Sequence, residues 1–251
     1  MAALAATATA WAVRRDLRRA RTVVRLVPPT TTIDVLVEPG TVAAVAQHPL
    51  RLAALGDSSI AGVGADRVAD CLAVQIAQRL ADETARPVHV RGYGVSGART
   101  ADVTEAQVAA LDPRHPPDVV VVVVGANDIV HATPPWRYGR DVVRLYADLR
   151  RRVTSPVVAC SLPEVRAISL VGHPLRDVAI AYGRALGMLQ RRAIRQVPGV
   201  TLVDARREAG PAFLRRPAAM AVDGFHPSTV GYALLADSLA PAVSDVLGAV
   251  S

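Results

Sequence analysis

Residues 119 to 128 read VVVVVVGAND, and this stretch decides the fold class. Six consecutive β-branched residues favour a strand, and the lack of polar alternation indicates that both faces of the strand are covered. Strands of this kind are typical of the centre of a parallel sheet, where helices pack above and below. The run therefore predicts the middle of an α/β sheet, and the Gly-Ala-Asn-Asp segment predicts the turn that follows it.

On either side of this run, short apolar segments alternate with amphipathic helical patterns. Repeated β-α units with right-handed crossovers predict a three-layer α/β/α sandwich around a five-stranded parallel sheet. The apolar residues 33–37 predict either an extra strand or an extended strap before the domain. The predicted strands are residues 51–55, 87–91, 119–124, 156–160 and 200–203, and the predicted helices are residues 67–82, 104–111, 138–152, 174–196 and 229–247.

The size and composition fit one domain with a short extension. The chain has 251 residues, of which 51% are hydrophobic and 20% charged, so it is neither disordered nor fibrous. We predict an apolar and basic segment at residues 1–28, a connecting strap at 29–50, and one α/β domain at 51–251. Cys71 and Cys160 are too few for a disulfide scaffold and lack the spacing of a zinc site, so we interpret them as small buried hydrophobic residues.

The positive charge is concentrated near the amino terminus. The formal net charge is +7 and every cationic side chain is an arginine. Residues 14–25 hold six arginines and one aspartate, a net charge of +5, which leaves +2 for the rest of the chain. A basic nucleic-acid binder is an alternative that rests only on the isoelectric point of about 10.3. A nearly neutral body argues against it, and we expect no nucleic-acid partner.

The basic segment also has a helical pattern. Its apolar residues lie on one face of a helix that Pro28 and Pro29 would end, and its arginines lie on the others. Residues 11–27, beginning at Trp11, therefore predict peripheral contact with an anionic membrane, and the alternative is a solvated or core-packing helix. The membrane interpretation favours a membrane or cell-envelope location over the cytoplasm. The apolar residues of the predicted face are Val13, Leu17, Ala20, Val24 and Val27.

Four turns near the predicted sheet carry polar residues suited to catalysis. They read Gly-Asp-Ser at 56–58, Gly-Tyr-Gly-Val-Ser-Gly at 92–97, Gly-Ala-Asn-Asp at 125–128 and Asp-Gly-Phe-His-Pro at 223–227. Loops at the carboxyl ends of parallel strands gather at one edge of a sheet, so we expect these turns to converge. Each alone is ordinary turn and helix-cap chemistry. Together they supply a nucleophile, a base, an orienting carboxylate and oxyanion donors.

In these four blocks the sequence resembles the SGNH hydrolases, also called the GDSL esterase/lipase family. The blocks occur in family order between residues 51 and 246, and the resemblance implies a flavodoxin-like SGNH hydrolase fold. It implies that Ser58 is the nucleophile, Gly97 the glycine of the second block, Asn127 the asparagine of the third, and Asp223 with His226 the final pair. Two positions depart from the family pattern, because Ser59 replaces the leucine of GDSL and Gly92 stands where the second block opens with asparagine.

The chemistry of these residues supports the same roles. Ser58 needs a base to take its proton, His226 can accept it, and Asp223 can hold the other ring nitrogen. The backbone N–H groups of Ser58 and Gly97 and the side-chain amide of Asn127 are candidate oxyanion donors. Glycine at position 97 is expected because a Cβ there would collide with substrate or strain the backbone.

These features predict a serine hydrolase that cleaves carboxylic esters through an acyl-serine intermediate. We expect a small-molecule or lipid ester as substrate, with no metal and no organic cofactor. One alternative is an acyltransferase of the same fold, in which an alcohol resolves the acyl-enzyme. Another is a catalytically silent envelope or binding protein. Acyl length, alcohol group and oligomeric state are open at this level.

Overall fold

A six-stranded sheet organises the protein in the computed structural model, which describes residues 26–40, 48–169 and 172–249. The spatial order is β1-β3-β2-β4-β5-β6. The five strands β2 to β6 are parallel, and β1 pairs with β3 in the antiparallel direction. The strands are β1 (Ile33–Val37), β2 (Leu50–Gly56), β3 (Val88–Gly92), β4 (Val119–Val123), β5 (Val157–Cys160) and β6 (Val200–Val203).

The valine run forms the inner strand β4, which lies between β2 and β5 as predicted. Val119 and Val121 belong to the hydrophobic core on one side of the sheet, and Val120 and Val122 belong to the core on the other. All four are fully buried. Successive side chains of a strand point to opposite faces, so a run without polar residues can fill two cores at once.

The five parallel strands agree with the predicted five-stranded parallel sheet, and a sixth, antiparallel strand joins them at the edge. Residues 33–37 form an antiparallel edge strand, which is one of the two possibilities that the sequence allows for them. Ile33 and Val37 are buried in the core, while Asp34 accepts hydrogen bonds from His89 and Arg91 of β3 at 2.5 and 3.1 Å. Apolar residues at both ends and polar pairs across the exposed face therefore hold β1 in the sheet.

Helices cover both faces of the sheet, which confirms the three-layer α/β/α sandwich. Helices α2 and α9 pack in one hydrophobic core, and α5 and α6 pack in the other. The helix predicted at 104–111 begins earlier, at Thr100, and continues as a wider π-type turn over Val103–Val108. The α-helices are α1 (Ser58–Ala61), α2 (Leu72–Thr84), α3 (Thr100–Asp102), α4 (Ala126–Val130), α5 (Pro135–Arg152), α6 (Leu175–Ile194), α7 (Ala205–Glu208), α8 (Gly210–Arg215) and α9 (Thr229–Gly248).

Helix α9 is long and apolar enough to cross a membrane by length and composition alone, with a mean hydropathy of 1.3. Its inner face packs in the protein core, where Tyr232, Ala236 and Val243 are fully buried. Core helices of globular domains reach the same hydropathy, so this helix is a packing element of the sandwich. The amphipathic helix predicted before Pro28 falls almost entirely on residues 1–25, outside the described residues.

Both cysteines are buried and free, as the sequence interpretation requires. Burial raises the pKa of the Cys71 thiol to about 11 and that of the Cys160 thiol to about 12. Thiols with such pKa values stay protonated at neutral pH and are poor nucleophiles.

Two buried tyrosines provide a matched test of the packing. The Tyr232 hydroxyl donates to the carbonyl of Val63 at 2.5 Å, whereas the Tyr138 hydroxyl has no hydrogen-bond partner among the described residues. We expect Tyr232→Phe to lower the free energy of unfolding by about 1–3 kcal/mol, because the buried carbonyl of Val63 loses its hydrogen-bond donor. We expect Tyr138→Phe to be neutral or stabilising. Urea denaturation of both variants measures the difference, and equal losses would contradict the assignment.

Candidate active site

The serine turn follows β2 directly and opens helix α1. The Asp57 carboxylate accepts the backbone N–H of Ser59 at 3.0 Å and so caps the short helix. Ser58 is therefore held at the first position of this helix, and the residue is 5% exposed. Its own backbone N–H has no acceptor among the described residues, and helix N-termini present such free donors.

The end of β2 is fixed by a side-chain amide from a distant part of the chain. Gln107 Oε1 accepts the N–H of Gly56, and Gln107 Nε2 donates to the Gly56 carbonyl, both at 2.8 Å. A Cβ at Gly56 would lie 2.0 Å from the backbone oxygen of Val123, so only glycine fits between the two strands. Sequence reasoning missed Gln107, because a buried glutamine 51 residues from its partner leaves no spacing signal.

Asp223 and His226 form a hydrogen-bonded pair in the loop before α9. Asp223 Oδ2 lies 2.6 Å from His226 Nδ1, and Asp223 Oδ1 accepts the backbone N–H groups of Phe225 and His226 at 2.9 and 3.0 Å. The Asp223 side chain is fully buried and the His226 side chain is 12% exposed. A carboxylate oxygen accepts at Nδ1, so this contact assigns the ring proton to Nδ1 and leaves Nε2 as the acceptor.

The glycine and asparagine of the two middle blocks are linked to each other. Asn127 Nδ2 donates to the carbonyl of Ala98 at 3.1 Å, which leaves the second amide hydrogen available. Gly97 has a φ of +86°, and a Cβ there would meet no atom within 4 Å. The left-handed backbone, rather than crowding by this chain, is what requires glycine at this position.

A buried aspartate next to Asn127 joins the same two loops. The Asp128 carboxylate accepts the backbone N–H of Thr100 at 3.0 Å and its hydroxyl at 2.8 Å, and Asp128 is 1% exposed. The turn at 125–128 was predicted, but the partner of Asp128 was not, because Thr100 lies 28 residues away on another loop. This contact fixes the distance between the Gly97 and Asn127 turns.

One cavity, which we call the reactive cavity, contains both Ser58 and His226 in its wall. The structure therefore brings together a serine and a histidine that are 168 residues apart in the sequence. Asp223 lies behind His226, and Gly97 and Asn127 are not part of the wall, although Ala126 is. Apolar side chains make up most of the remaining wall, among them Val123, Val124, Ile168, Phe213, Met220, Phe225 and Leu235.

Among the described residues, no group of three or more His, Cys, Asp or Glu side chains is arranged to hold a metal ion. The polar side chains in the wall of the reactive cavity are those of Ser58 and His226, together with Asp57, Ser59, Ser161, Glu164 and Arg206. A hydroxyl and an imidazole in one cavity are suited to nucleophilic attack.

The fold and this cavity define the protein's class, an α/β sandwich with a serine, a histidine and a buried aspartate at the carboxyl edge of a parallel sheet. The chain belongs to the GDSL-like lipase/acylhydrolase family, whose model matches residues 54–234. The family that the four sequence blocks resemble is thereby confirmed.

A curated relative and two solved structures extend the comparison. The chain is 32% identical over 201 residues to the GDSL-like esterase Rv1075c of Mycobacterium tuberculosis, covering 79% of this chain and 63% of that protein. This chain thus spans less than two thirds of the relative's length. Its fold is similar to LAE5, an α/β hydrolase enzyme from the Lake Arreo metagenome, with 20% identity, a TM-score of 0.62 and coverage of 82% and 98% of the two chains. It is also similar to the lipase Lip_vut3 from a goat rumen metagenome, with 16% identity, a TM-score of 0.62 and coverage of 78% and 99%.

The carboxyl group next to Ser58 gives a prediction for the pH dependence of stability. Burial, together with the nearby Asp128, raises the pKa of Asp57 from 3.8 to about 6. The folded protein therefore holds a proton that the unfolded chain has released, and the free energy of unfolding falls as pH rises between these values. The loss amounts to about 3 kcal/mol at most.

We expect Asp57→Asn to become more stable relative to the wild type as pH rises from 3.8 to about 6, since it cannot ionise and keeps an oxygen for the Ser59 N–H. Urea denaturation of both proteins at about pH 4 and about pH 8 measures the change. A stability difference that is the same at both pH values would contradict the raised pKa.

Proposed function

We propose that this protein is a serine hydrolase that cleaves carboxylic esters through an acyl-serine intermediate, with Ser58, His226 and Asp223 as its triad. The observation that carries the proposal is the shared cavity of Ser58 and His226, with the imidazole held by a buried carboxylate. Membership of a lipase/acylhydrolase family and the esterase name of the curated relative support the same reaction. The substrate is a small-molecule or lipid ester.

In the first half of the reaction, His226 Nε2 takes the proton of Ser58 as the serine oxygen attacks the ester carbonyl. Asp223 stabilises the imidazolium, since its carboxylate already binds Nδ1. The imidazolium then returns the proton to the departing alcohol, and the acyl group remains on Ser58. A water molecule, activated by His226 in the same way, releases the acid and restores the serine. These steps use only side chains of this chain and water.

The negative charge of the tetrahedral intermediate needs donors that are in place before the reaction. The free N–H of Ser58 at the start of α1, the N–H of Gly97 and the second amide hydrogen of Asn127 are the proposed donors. Contacts within the chain support this arrangement, because Asn127 is tied to the Gly97 loop through Ala98 and Asp128 is tied to it through Thr100. Preorganised donors of this kind contribute more than donors that must reorient.

Two variants test the catalytic roles. We expect Ser58→Ala to lower kcat for a nitrophenyl ester by at least about 1000-fold, because no nucleophile remains. We expect Asn127→Ala to lower kcat by about 100- to 1000-fold, because one oxyanion donor is lost. Initial rates with esters of increasing acyl length measure both effects.

Ser238→Ala is the matched control, because this serine lies on α9 and its hydroxyl, among the described residues, donates only to the carbonyl of Leu234. Its activity should equal that of the wild type, and circular dichroism should show that all variants are folded. Equal ester turnover by Ser58→Ala and the wild type would overturn the proposal. Rates at the uncatalysed background for both proteins would favour a catalytically silent binding protein. Product analysis with added alcohols separates hydrolysis from acyl transfer.

We propose further that residues 11–27 bring the enzyme to an anionic membrane surface. The support is the sequence alone, a net charge of +5 over residues 14–25 beside an apolar helical face. Each arginine near an anionic surface contributes about 1 kcal/mol. The rest of the chain is nearly neutral and would add little to such binding.

Sedimentation with lipid vesicles tests this contact in the full chain. We expect the wild type to bind phosphatidylglycerol vesicles more tightly than phosphatidylcholine vesicles, and replacement of Arg14, Arg15, Arg18 and Arg19 by glutamine to remove the difference. Replacement of four arginines in the body, Arg114, Arg192, Arg195 and Arg216, is the charge-matched control. Equal binding by both quadruple variants would contradict the membrane role of the segment.

A further inference from the structure

A second cavity opens beside the reactive cavity, between helix α6 and the edge strand β6. We call it the arginine cavity, because Arg184, Arg191 and Arg206 are in its wall together with Gly187, Met188 and Leu202. Its wall thus combines three permanent positive charges with apolar side chains. Guanidinium groups of this kind bind phosphate and carboxylate through paired hydrogen bonds.

Two of these arginines have no carboxylate within ion-pair distance in the part of the chain that the structure describes. Arg191 forms an ion pair with Asp204, but no ion pair joins Arg184 or Arg206 to an acid within the described ranges. The acid beside Arg206 in the reactive cavity, Glu164, is already engaged by Arg166 at 2.8 and 2.9 Å. Arg206 also interacts at longer range with Glu164 and Asp204, but each of these acids forms its close ion pair with another arginine. The three arginines of the wall therefore outnumber the acids that are closely paired with them among the described residues.

Arg206 connects the two cavities, since it belongs to the wall of both, as does Ser161. The backbone N–H of Arg206 donates to Ser161 Oγ at 3.1 Å, which fixes the start of α7 at this wall. Ser58 follows β2 and Arg206 follows β6, three strand spacings away in the sheet. That separation is about 14 Å at the usual distance between strands. An apolar wall therefore leads from Ser58 toward an arginine that has no close ion pair among the described residues.

One glycine of α6 in the wall of the arginine cavity, Gly187, faces open space. A Cβ at Gly187 would meet no atom within 4 Å, whereas a Cβ at Gly183, one turn earlier, would lie 2.8 Å from Val165 Cγ2. Close packing thus explains why position 183 is a glycine, but it does not explain the glycine at position 187. Glycine is less favourable than alanine inside a helix, and position 187 has room for a larger side chain beside the cavity.

We propose that the arginine cavity binds an anionic group, a phosphate or a carboxylate, carried by the ester substrate at a distance from its scissile bond. This inference rests on the proposed function, because it places the ester carbonyl at Ser58. The apolar wall between the two ends accommodates the hydrocarbon part of the molecule, and Arg206 with Arg184 selects the charged end. The anionic group can belong to the acyl chain or to the alcohol, and each source is tested separately.

The experiment compares two pairs of esters that differ only in the remote charge. The acyl-side pair is mono-nitrophenyl suberate and nitrophenyl octanoate, and the alcohol-side pair is octanoyl glycerol phosphate and octanoyl glycerol. We expect the wild type to prefer the anionic member of one pair in kcat/KM, mainly through a lower KM. Arg206→Gln should reduce that preference about 10- to 100-fold, the range expected for a hydrogen bond to a charged group.

Further variants distinguish the effect of the arginine charge from the effect of the cavity volume. Arg184→Gln should reduce the preference in the same direction, and Gly187→Leu should reduce it by filling the cavity. The matched control is Arg192→Gln, an exposed arginine on the same helix outside both cavities, which should keep the wild-type preference. If the wild type shows no preference in either pair, or if Arg206→Gln and Arg192→Gln behave alike, the inference is wrong.

A binding measurement distinguishes failure of this inference from failure of the proposed function. Calorimetry with octyl phosphate as the probe and octanol as its neutral control should show binding that Arg206→Gln weakens. Ser58-dependent turnover of neutral esters without octyl phosphate binding would overturn the anion site and leave the hydrolase proposal standing. Octyl phosphate binding without any Ser58-dependent turnover would overturn the hydrolase proposal instead.

Discussion

Gly56, at the end of β2, lies so close to β4 that the backbone oxygen of Val123 occupies the space where a side chain would be. The next residue, Asp57, donates its N–H to that same carbonyl at 3.2 Å, and Gln107 closes the opposite side with two hydrogen bonds. The serine turn therefore leaves the sheet from a fixed point and in a fixed direction. The core on both faces of β4 keeps this point in place, since close-packed interiors resist small displacements.

Three buried aspartates then arrange the loops around that point, each in a different way. Asp57 caps the helix that begins at Ser58, Asp128 binds Thr100 across two loops, and Asp223 holds the histidine. A buried carboxylate is costly without partners, so each one constrains the loop that supplies its donors. The site is thus held mainly by polar contacts, and the apolar layers behind it supply the rigidity.

The sequence predicted the features that repeat along the chain or that sit next to a strand. The valine run predicted the inner strand, and the periodic helices predicted the layers, because both signals are local. The serine, glycine, asparagine and histidine blocks could be read because each lies within a few residues of a recognisable turn. The antiparallel pairing of β1 with β3, the contact of Gln107 with Gly56 and the contact of Asp128 with Thr100 depend on chain segments that meet only after folding. No spacing rule predicts those pairs.

The antiparallel strand β1 also has a consequence for behaviour in solution. Without it, β3 would form one border of the sheet and expose a row of free backbone donors and acceptors, a template for pairing with another molecule. Strand β1 is only five residues long. It covers that border, and its Asp34 pairs with His89 and Arg91 of β3 across the exposed face of the sheet. Short, charged edge strands discourage edge-to-edge aggregation. Removal of β1 by truncation past residue 33 would therefore expose the unpaired backbone edge of β3. Such a truncation would lower solubility even where the reactive cavity stays intact.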